Sequence, residues 1–330
     1  MGIKSLTQLI KKNSPNSIEH VGLHKFKDKR IAIDTSIFLY KSLINVRHKG
    51  DYLKNNNGKI ISHIQGLYYK TNTYLSLGIT PIYIFDGKPP IEKSECIQER
   101  NKKAQKCKEK MNNTQDQTEK MNLEKGSIRI KKEYIDDLKN LFNLMGVSYI
   151  QVENGEAEAY ASELCRIGYV DAVVTEDMDT LAYGCPTLIT ACKDKSIKRP
   201  DVITTFNFSK IVEDFKMNHD EFIDMCILCG CDYCPTIPKV GPARAIKNIQ
   251  EHKSIENYLE KCNITGSDEF LKKYILSRQL FKIFKDKIDI NNLPIHNSKY
   301  DSENLYKYLV YECNMNEKRI QTSLNKIKLN

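Results

Sequence analysis

The sequence predicts an α/β protein with a mostly parallel central sheet covered by helices on both faces. Three observations lead there. Short apolar runs alternate with helix-patterned segments through about residue 205, and strands alternating with helices imply parallel pairing through crossover connections. Several runs deliver a carboxylate where the strand ends: Ile31-Ala32-Ile33-Asp34, Tyr83-Ile84-Phe85-Asp86, Glu156 and Glu158 after 147–152, and Asp177 and Asp179 after 172–175. Past the helix-like run 222–228 and Asp232, the pattern becomes helical throughout.

In chain order, periodicity predicts helices near 4–12, 35–46, 60–77, 131–145, 156–167 and 177–183. Strands are predicted near 30–34, 80–85, 147–152, 171–175, 187–190 and 202–206. The segment 91–133 breaks this alternation with 12 Lys/Arg and 8 Asp/Glu. Composition alone suits a solvated, flexible insertion. Its position directly after Asp86 would hang its cations over the acids, where they could thread a single strand. Further on, Ile237-Pro238-Lys239-Val240-Gly241-Pro242-Ala243-Arg244-Ala245 reads as a tight turn into a helix beginning at Pro242. Proline is tolerated at a helix start, and the free amides there suit a phosphate. The organisation expected is an α/β domain from 1–90 and 134–231, the insertion 91–133, a helix pair suited to phosphate at 232–262 and a helical region 263–330.

In an open α/β sheet, ligands bind outside the carboxyl ends of the strands, so Asp34, Asp86, Glu156, Glu158, Asp177, Asp179 and Asp232 should converge. Carboxylates at close range drive one another toward protonation unless cations hold them. Hard divalent ions with oxygen ligands are the ordinary solution, and a pair of them clamps the attacking and leaving oxygens of a phosphodiester. Nuclease chemistry is the leading reading of the acids before any family is considered.

The chain of 330 residues carries a net charge of +9 in spite of these acids. A basic surface around an acidic pocket fits a polyanion, although a composition rich in Asn, Ile and Lys would also raise the lysine count. Its 11 cysteines are odd in number, in a chain too large to need a disulfide framework. Reduced thiols in an intracellular protein are expected, with no cleavable leader and no membrane span. Cys226, Cys229, Cys231 and Cys234 crowd together without the separated knuckles of structural zinc, and read as packed thiols.

Met-Gly-Ile at 1–3, Ile-Asp-Thr-Ser at 33–36, Phe-Asp-Gly-Lys-Pro-Pro at 85–90, Glu-Ala-Glu-Ala at 156–159, Thr-Glu-Asp-Met-Asp at 175–179 and Gly-Cys-Asp-Tyr-Cys at 230–234 stand in one order along the chain. With that order and spacing the sequence resembles the flap endonuclease family of structure-specific 5′ nucleases, from residue 1 to about 326. The resemblance implies a PIN-like 5′ nuclease fold with a helical arch insertion and a helix–three-turn–helix region. It implies that the seven acids ligate two Mg²⁺, with Mn²⁺ as a substitute, and that Lys93 and Arg100 stabilise the scissile phosphate. Tyr40 would stack on a base, while Gly2, Arg47, Gly241, Pro242 and Arg244 would contact DNA, the last three in an element that holds K⁺ in the family. The implied reaction is hydrolysis of branched DNA, a 5′ flap or a gapped or nicked duplex, to a 5′-phosphate and a 3′-hydroxyl. A 5′→3′ exonuclease, a junction-resolving nuclease and an inactive branched-DNA binding module are the rival readings.

Three departures from the family's pattern are visible. Lys239 stands where a glycine is usual, and Asn56, Asn57, Gly58 and Lys59 replace acidic residues before Ser62-His63. Gln321-Thr322-Ser323-Leu324 begins like a sliding-clamp motif without its aromatics, so clamp binding by that route is not expected. A monomer is expected, in the nucleus of a cellular eukaryote or in the cytoplasm if viral.

Overall fold

In the computed structural model, which describes residues 2–48, 50–263 and 268–328, the first ninety residues hold α1 (Leu6–Asn13), β1 (Ile18–Gly22), β2 (Arg30–Asp34), α2 (Thr35–Asn45), β3 (Arg47–His48), β4 (Asp51–Tyr52), α3 (Ser62–Ser76) and β5 (Thr80–Phe85). Two helices, α4 (Ser94–Asn113) and α5 (Gln117–Ser127), occupy the basic segment. The sheet then resumes through α6 (Lys132–Met145), β6 (Tyr149–Gln151), α7 (Ala157–Arg166), β7 (Ala172–Val174), α8 (Asp179–Ala182), β8 (Thr187–Ala191) and β9 (Val202–Asn207). The remainder is α9 (Phe208–Asp214), α10 (His219–Cys229), α11 (Pro242–His252), α12 (Ile255–Lys261), α13 (Asp268–Phe281), the two-residue β10 (Ile295–His296), α14 (Ser302–Lys307) and α15 (Glu317–Lys328). No helix among the described residues is long and apolar enough to cross a membrane.

The main sheet runs β1-β9-β8-β7-β2-β5-β6-β10. Its centre, β8-β7-β2-β5-β6, is parallel, and β9, β1 and β10 add antiparallel edges. From β2 the chain moves first to β5 and β6, then returns to β7 on the other side. That reversal between β2 and β7 is the topological switch point, where a crevice opens at the strand ends. Period-two alternation sorts β2 between two cores: Ile31 and Ile33 pack with Tyr83, Phe142 and helices α2, α3 and α6, while Ala32 packs with Ile82, Ile84, Val173 and α7.

The expected helices and strands are present with ends moved by a residue or two, 177–183 as the four-residue α8. Four strands escaped the periodicity. β1 is an edge strand, Ile-Glu-His-Val-Gly, mostly half-buried or exposed, and edge strands carry little apolar signal. The β3–β4 pair and β10 have two residues per strand, too short for any period.

The stretch expected to be a flexible insertion forms two paired helices. Asp116 caps α5 by accepting from the Glu119 amide, and Ala104 of α4 is buried. The helix pair that brackets the Pro242 turn is α10 with α11, so its first helix lies before the expected boundary at 232. An Asn218–Glu221 capping box starts α10, and Gly230, at φ +102°, ends it.

One glycine fixes how the strand ends meet. Beyond β5, the Gly87 amide donates to Gly155 O at 3.0 Å and the Lys88 amide to Glu153 O at 3.0 Å, joining the exits of β5 and β6. A Cβ on Gly87 would lie 2.6 Å from the Glu153 carbonyl carbon and 2.7 Å from two carbonyl oxygens. Since backbone atoms cannot swing aside, Gly87→Ala should destabilise the protein by about 1–3 kcal/mol, in the range of core overpacking. Chemical denaturation of the two proteins checks this.

Candidate functional site

The crevice at the switch point is lined by the ends of the strands and the starts of the following helices. Asp34 is both the last residue of β2 and the N-cap of α2, where its Oδ1 accepts from the Ile37 amide at 3.4 Å. Its Oδ2 accepts from the Thr175 hydroxyl at 2.9 Å. Asp86, one residue past β5, takes the Ala157 amide at 2.8 Å and the Ser36 hydroxyl at 2.5 Å. It therefore satisfies an open amide at the start of α7. Glu156 is the N-cap of the same helix and Glu158 lies in its first turn. Two acids at i and i+2 would diverge within a helix, but at its first turn both reach the crevice.

Asp177 and Asp179 follow β7. Asp177 Oδ1 accepts from the Asp179 amide at 3.1 Å, and Asp179 Oδ1 accepts from the Ile3 amide at 2.6 Å. The amino-terminal segment thus runs into the site. Gly2 has φ +84°, and a Cβ there would fall 2.6 Å from Asp179 Oδ1 and 2.7 Å from Asp177 Oδ1. Only glycine fits that position. Asp232, just past α10, accepts from Arg100 Nη2 at 2.5 Å.

Burial and mutual repulsion dominate the electrostatics. Burial, then Asp86 and Asp177, push Asp34 up to about 7. Burial and the neighbouring acids hold Glu158 and Asp179 well above the carboxylate range, and Asp86 and Asp177 rise for the same reasons. Two cations from the arch answer them. Lys93 pairs with Glu156 and lies 3.7 Å from Asp232. Burial alone would lower its ammonium, but Glu156 and Glu158 hold it above its ordinary range.

Two cations do not neutralise seven acids. As the side chains stand, no three acids among the described residues enclose an ion, and the Lys93 ammonium sits against Glu156. The donor set is nonetheless all oxygen, gathered from the ends of β2, β5, β7 and α10 and the start of α7, and strongly disfavoured as bare charge. Those are the features of a site for hard divalent cations.

The residues expected to meet DNA have varied surroundings. Half-buried Tyr40 donates its hydroxyl to Lys125 O at 3.3 Å, at the foot of α5. Arg47 is occupied: its side chain is 7% exposed, pairs with Glu124 at 2.5 Å, donates to Gly50 O at 3.0 Å and lies 4.3 Å over the Tyr52 ring. Gly241 is the N-cap of α11, with open space where its Cβ would be, and Pro242 is the first helical residue. Arg244 donates to Lys239 O at 2.7 Å.

That last bond braces the turn into α11. Lys239 holds a left-handed φ of +66°, the conformation glycine would adopt without strain. The carbonyls of Ile237, Lys239 and Gly241 already accept hydrogen bonds, one of them from a guanidinium. The Ile237 and Lys239 oxygens each keep a second lone pair.

The neutral loop before α3 is likewise engaged. Lys59 pairs with Asp137 at 2.5 Å, Asn55 donates to Glu312 O at 2.8 Å, and the Asn56 and Asn314 side chains bond at 2.8 Å. The cation that replaces an acid there is therefore met by an acid of α6. At the other end of the chain, Gln321-Thr322-Ser323-Leu324 lies within α15, with Leu324 buried in the core. Cys226, Cys229 and Cys234 are buried as well.

Several site residues were not singled out from the sequence. Ser36 and Thr175 lie inside quoted motifs, and a hydroxyl beside a conspicuous acid is the signal that could have found them. Tyr233 sits in Gly-Cys-Asp-Tyr-Cys and bonds Glu156. Tyr183, which joins it at 2.5 Å, has no sequence signal, because its partner is 50 residues away.

Comparison with known proteins agrees with this geometry. The profile of the XPG N-terminal domain matches residues 1–107 and that of the XPG I-region matches residues 146–232. Flap endonuclease 1 of Glycine max is 38% identical over 336 residues, covering 100% of this chain and 87% of its own. Among solved structures, flap endonuclease-1 from Methanococcus jannaschii superposes with a TM-score of 0.68 at 27% identity, over 94% of this chain and 95% of its own. The catalytic core of Rad2 in complex with DNA substrate shares the fold, with a TM-score of 0.71 at 21% identity over 99% of this chain and 100% of that one. With the acids assembled at the switch point, a helical arch above them and a relative 38% identical across the full length of this chain, the chain belongs to the flap endonuclease family.

Proposed function

We propose that this structure-specific 5′ flap endonuclease uses the seven-acid crevice as a two-Mg²⁺ site acting on branched DNA. The observation that carries the reading is the enforced crowding of Asp34, Asp86, Glu158, Asp177 and Asp179, all pushed above the ordinary carboxylate range. Divalent ions, when bound, would supply Lewis-acid charge to the phosphodiester and lower the pKa of an attacking water. Asp34, Asp86, Glu156, Glu158, Asp177, Asp179 and Asp232 would hold them, directly or through water.

The chain's own cations do the positioning. Lys93 and Arg100 project from the arch into the crevice, and a scissile phosphate there would take over the hydrogen bonds they now give to Glu156 and Asp232. Gly2 lets the backbone pass close to Asp177 and Asp179. Tyr40 of α2 bonds the foot of the arch at Lys125 O, and its ring would support a base there. The open N-terminus of α11 at Gly241 and Pro242, with exposed Arg244, suits a backbone phosphate of the duplex. The similarity to a plant relative supports a nuclear location.

Because losing one carboxylate charge weakens ion binding without touching distant phosphate contacts, Asp86→Asn and Asp179→Asn should abolish cleavage while DNA affinity changes by less than about threefold. Cleavage and binding assays on a 5′ flap substrate check both; Mg²⁺-dependent activity in both variants would remove the two-metal reading. Lys93→Ala should lower turnover by about 10²-fold or more, the usual cost of one preorganised donor, with little effect on affinity. If 91–133 responds to the flap, limited proteolysis within it should slow when flap DNA is added.

The raised carboxylates also set a pH dependence. Between about pH 4 and 7 the folded, metal-free site binds more protons than the unfolded chain, because Asp34 titrates near 7 when folded and near 4 when unfolded. This site's contribution to stability is therefore present at low pH and declines as pH rises through that window. A divalent ion needs the deprotonated acids. Mg²⁺ at ~10–100 times its Kd should stabilise by about 1–3 kcal/mol at pH 8 and by far less at pH 5. Thermal melts with Mg²⁺ or EDTA at the two pH values measure the difference.

A further inference from the structure

Behind the crevice, two phenols meet on one carboxylate. Tyr183 follows α8, Tyr233 follows α10 and Glu156 caps α7. The Tyr183 and Tyr233 hydroxyls are 2.5 Å apart, the Tyr233 hydroxyl donates to Glu156 Oε2, and the Tyr183 hydroxyl lies 3.4 Å from that same oxygen. Glu156 Oε1 instead takes the Lys93 ammonium. Both phenols are buried, 8% and 4% exposed, with their rings 5.3 and 5.4 Å from Phe281. If Glu156 turned away, the buried Tyr233 hydroxyl, which already accepts from Tyr183, would lose its own acceptor, so the carboxylate is held in one orientation.

We propose that Tyr183 and Tyr233 are a positioning relay for Glu156. Tyr233 holds Oε2 from the protein side, Tyr183 donates to Tyr233 and so aims its hydroxyl, and Oε1 is left facing the crevice. A chain of hydrogen bonds in a dry interior strengthens each member. Phenols suit this task because they fix the carboxylate without adding a charge that would compete with a cation in front of it. Partners of this kind behind a metal ligand commonly govern ion affinity by 10- to 100-fold. The relay rests on the reading of Glu156 as an ion ligand under the proposed function.

The test reads ion affinity without DNA or turnover. The chain has no Trp, so Tb³⁺, which occupies oxygen-rich sites, is excited through tyrosine, and the midpoint of its luminescence titration reports binding. Tyr233→Phe and Tyr183→Phe each delete a hydroxyl and keep the ring against Phe281. The expected shift is a midpoint about 10- to 100-fold weaker for Tyr233→Phe and about 3- to 10-fold weaker for Tyr183→Phe. The double variant should lie within about twofold of Tyr233→Phe, since Tyr183 acts through its neighbour. Tyr183→Phe carries the test alone if Tyr233→Phe melts early. Unchanged midpoints in well-folded single variants, with a wild-type midpoint that Asp179→Asn abolishes, overturn the relay and leave the ion site standing. A wild-type midpoint indifferent to Asp179→Asn overturns the ion site and the relay with it.

Discussion

The structure depends on confining like charge. A parallel sheet that reverses direction between β2 and β7 brings strand ends from both halves of the chain to one crevice, and this chain places carboxylates there. Left bare, the group would repel itself apart or take up protons. The surrounding structure supplies neutral dipoles first: the Ile3, Ile37 and Ala157 amides and the hydroxyls of Ser36, Thr175 and Tyr233 each donate to one of the acids. Such donors fix orientation but carry no net charge. The remaining deficit is what a divalent cation, or a lysine from the arch, is drawn to fill.

This explains the order of events along the chain. Asp86 is followed at once by Gly87, which locks the exits of β5 and β6 together, and then by the segment that carries Lys93 and Arg100 back over the acids. The arch is thus attached where its charge is needed. Its far foot is also tied down, through Arg47–Glu124 and Tyr40 to Lys125 O. Between these anchors α4 and α5 pair with each other and bury little else, so the arch is held by a few polar contacts at its two ends. Segments of that kind lie at the low-stability end of a fold.

Much of this was legible in the sequence, for local reasons. β2 and β5 are nearly uninterrupted apolar runs because both faces are covered, and an acid closing such a run is visible to inspection. Pro242 after Gly241 marks a helix start through backbone chemistry that needs no partner. What could not be read is pairing across distance. Arg47 looks like a free cation in the sequence, yet Glu124 takes it up; Lys59 looks like a reversal of charge, yet Asp137 of α6 answers it; Tyr183 looks like a core aromatic, yet its hydroxyl finds Tyr233. The same holds for β1 and β10, whose strand character comes from the edges they join.

Those pairings change how the net charge of +9 should be understood. Arg47, Lys59, Lys93 and Arg100 all face carboxylates at 3.7 Å or less in the free protein. Under the proposed function, their contribution to DNA binding would be an exchange of one anion for another, with a desolvation cost on each side. Lys239 and Arg244, exposed beside the start of α11 and without a carboxylate partner within 4.0 Å among the described residues, would gain a phosphate without first releasing a carboxylate. The long-range, salt-sensitive part of binding should accordingly come from the helix-pair side. The crevice and arch would add little to initial affinity but much to discrimination, because their cations move only when a phosphate in the right place can replace the acid each one holds.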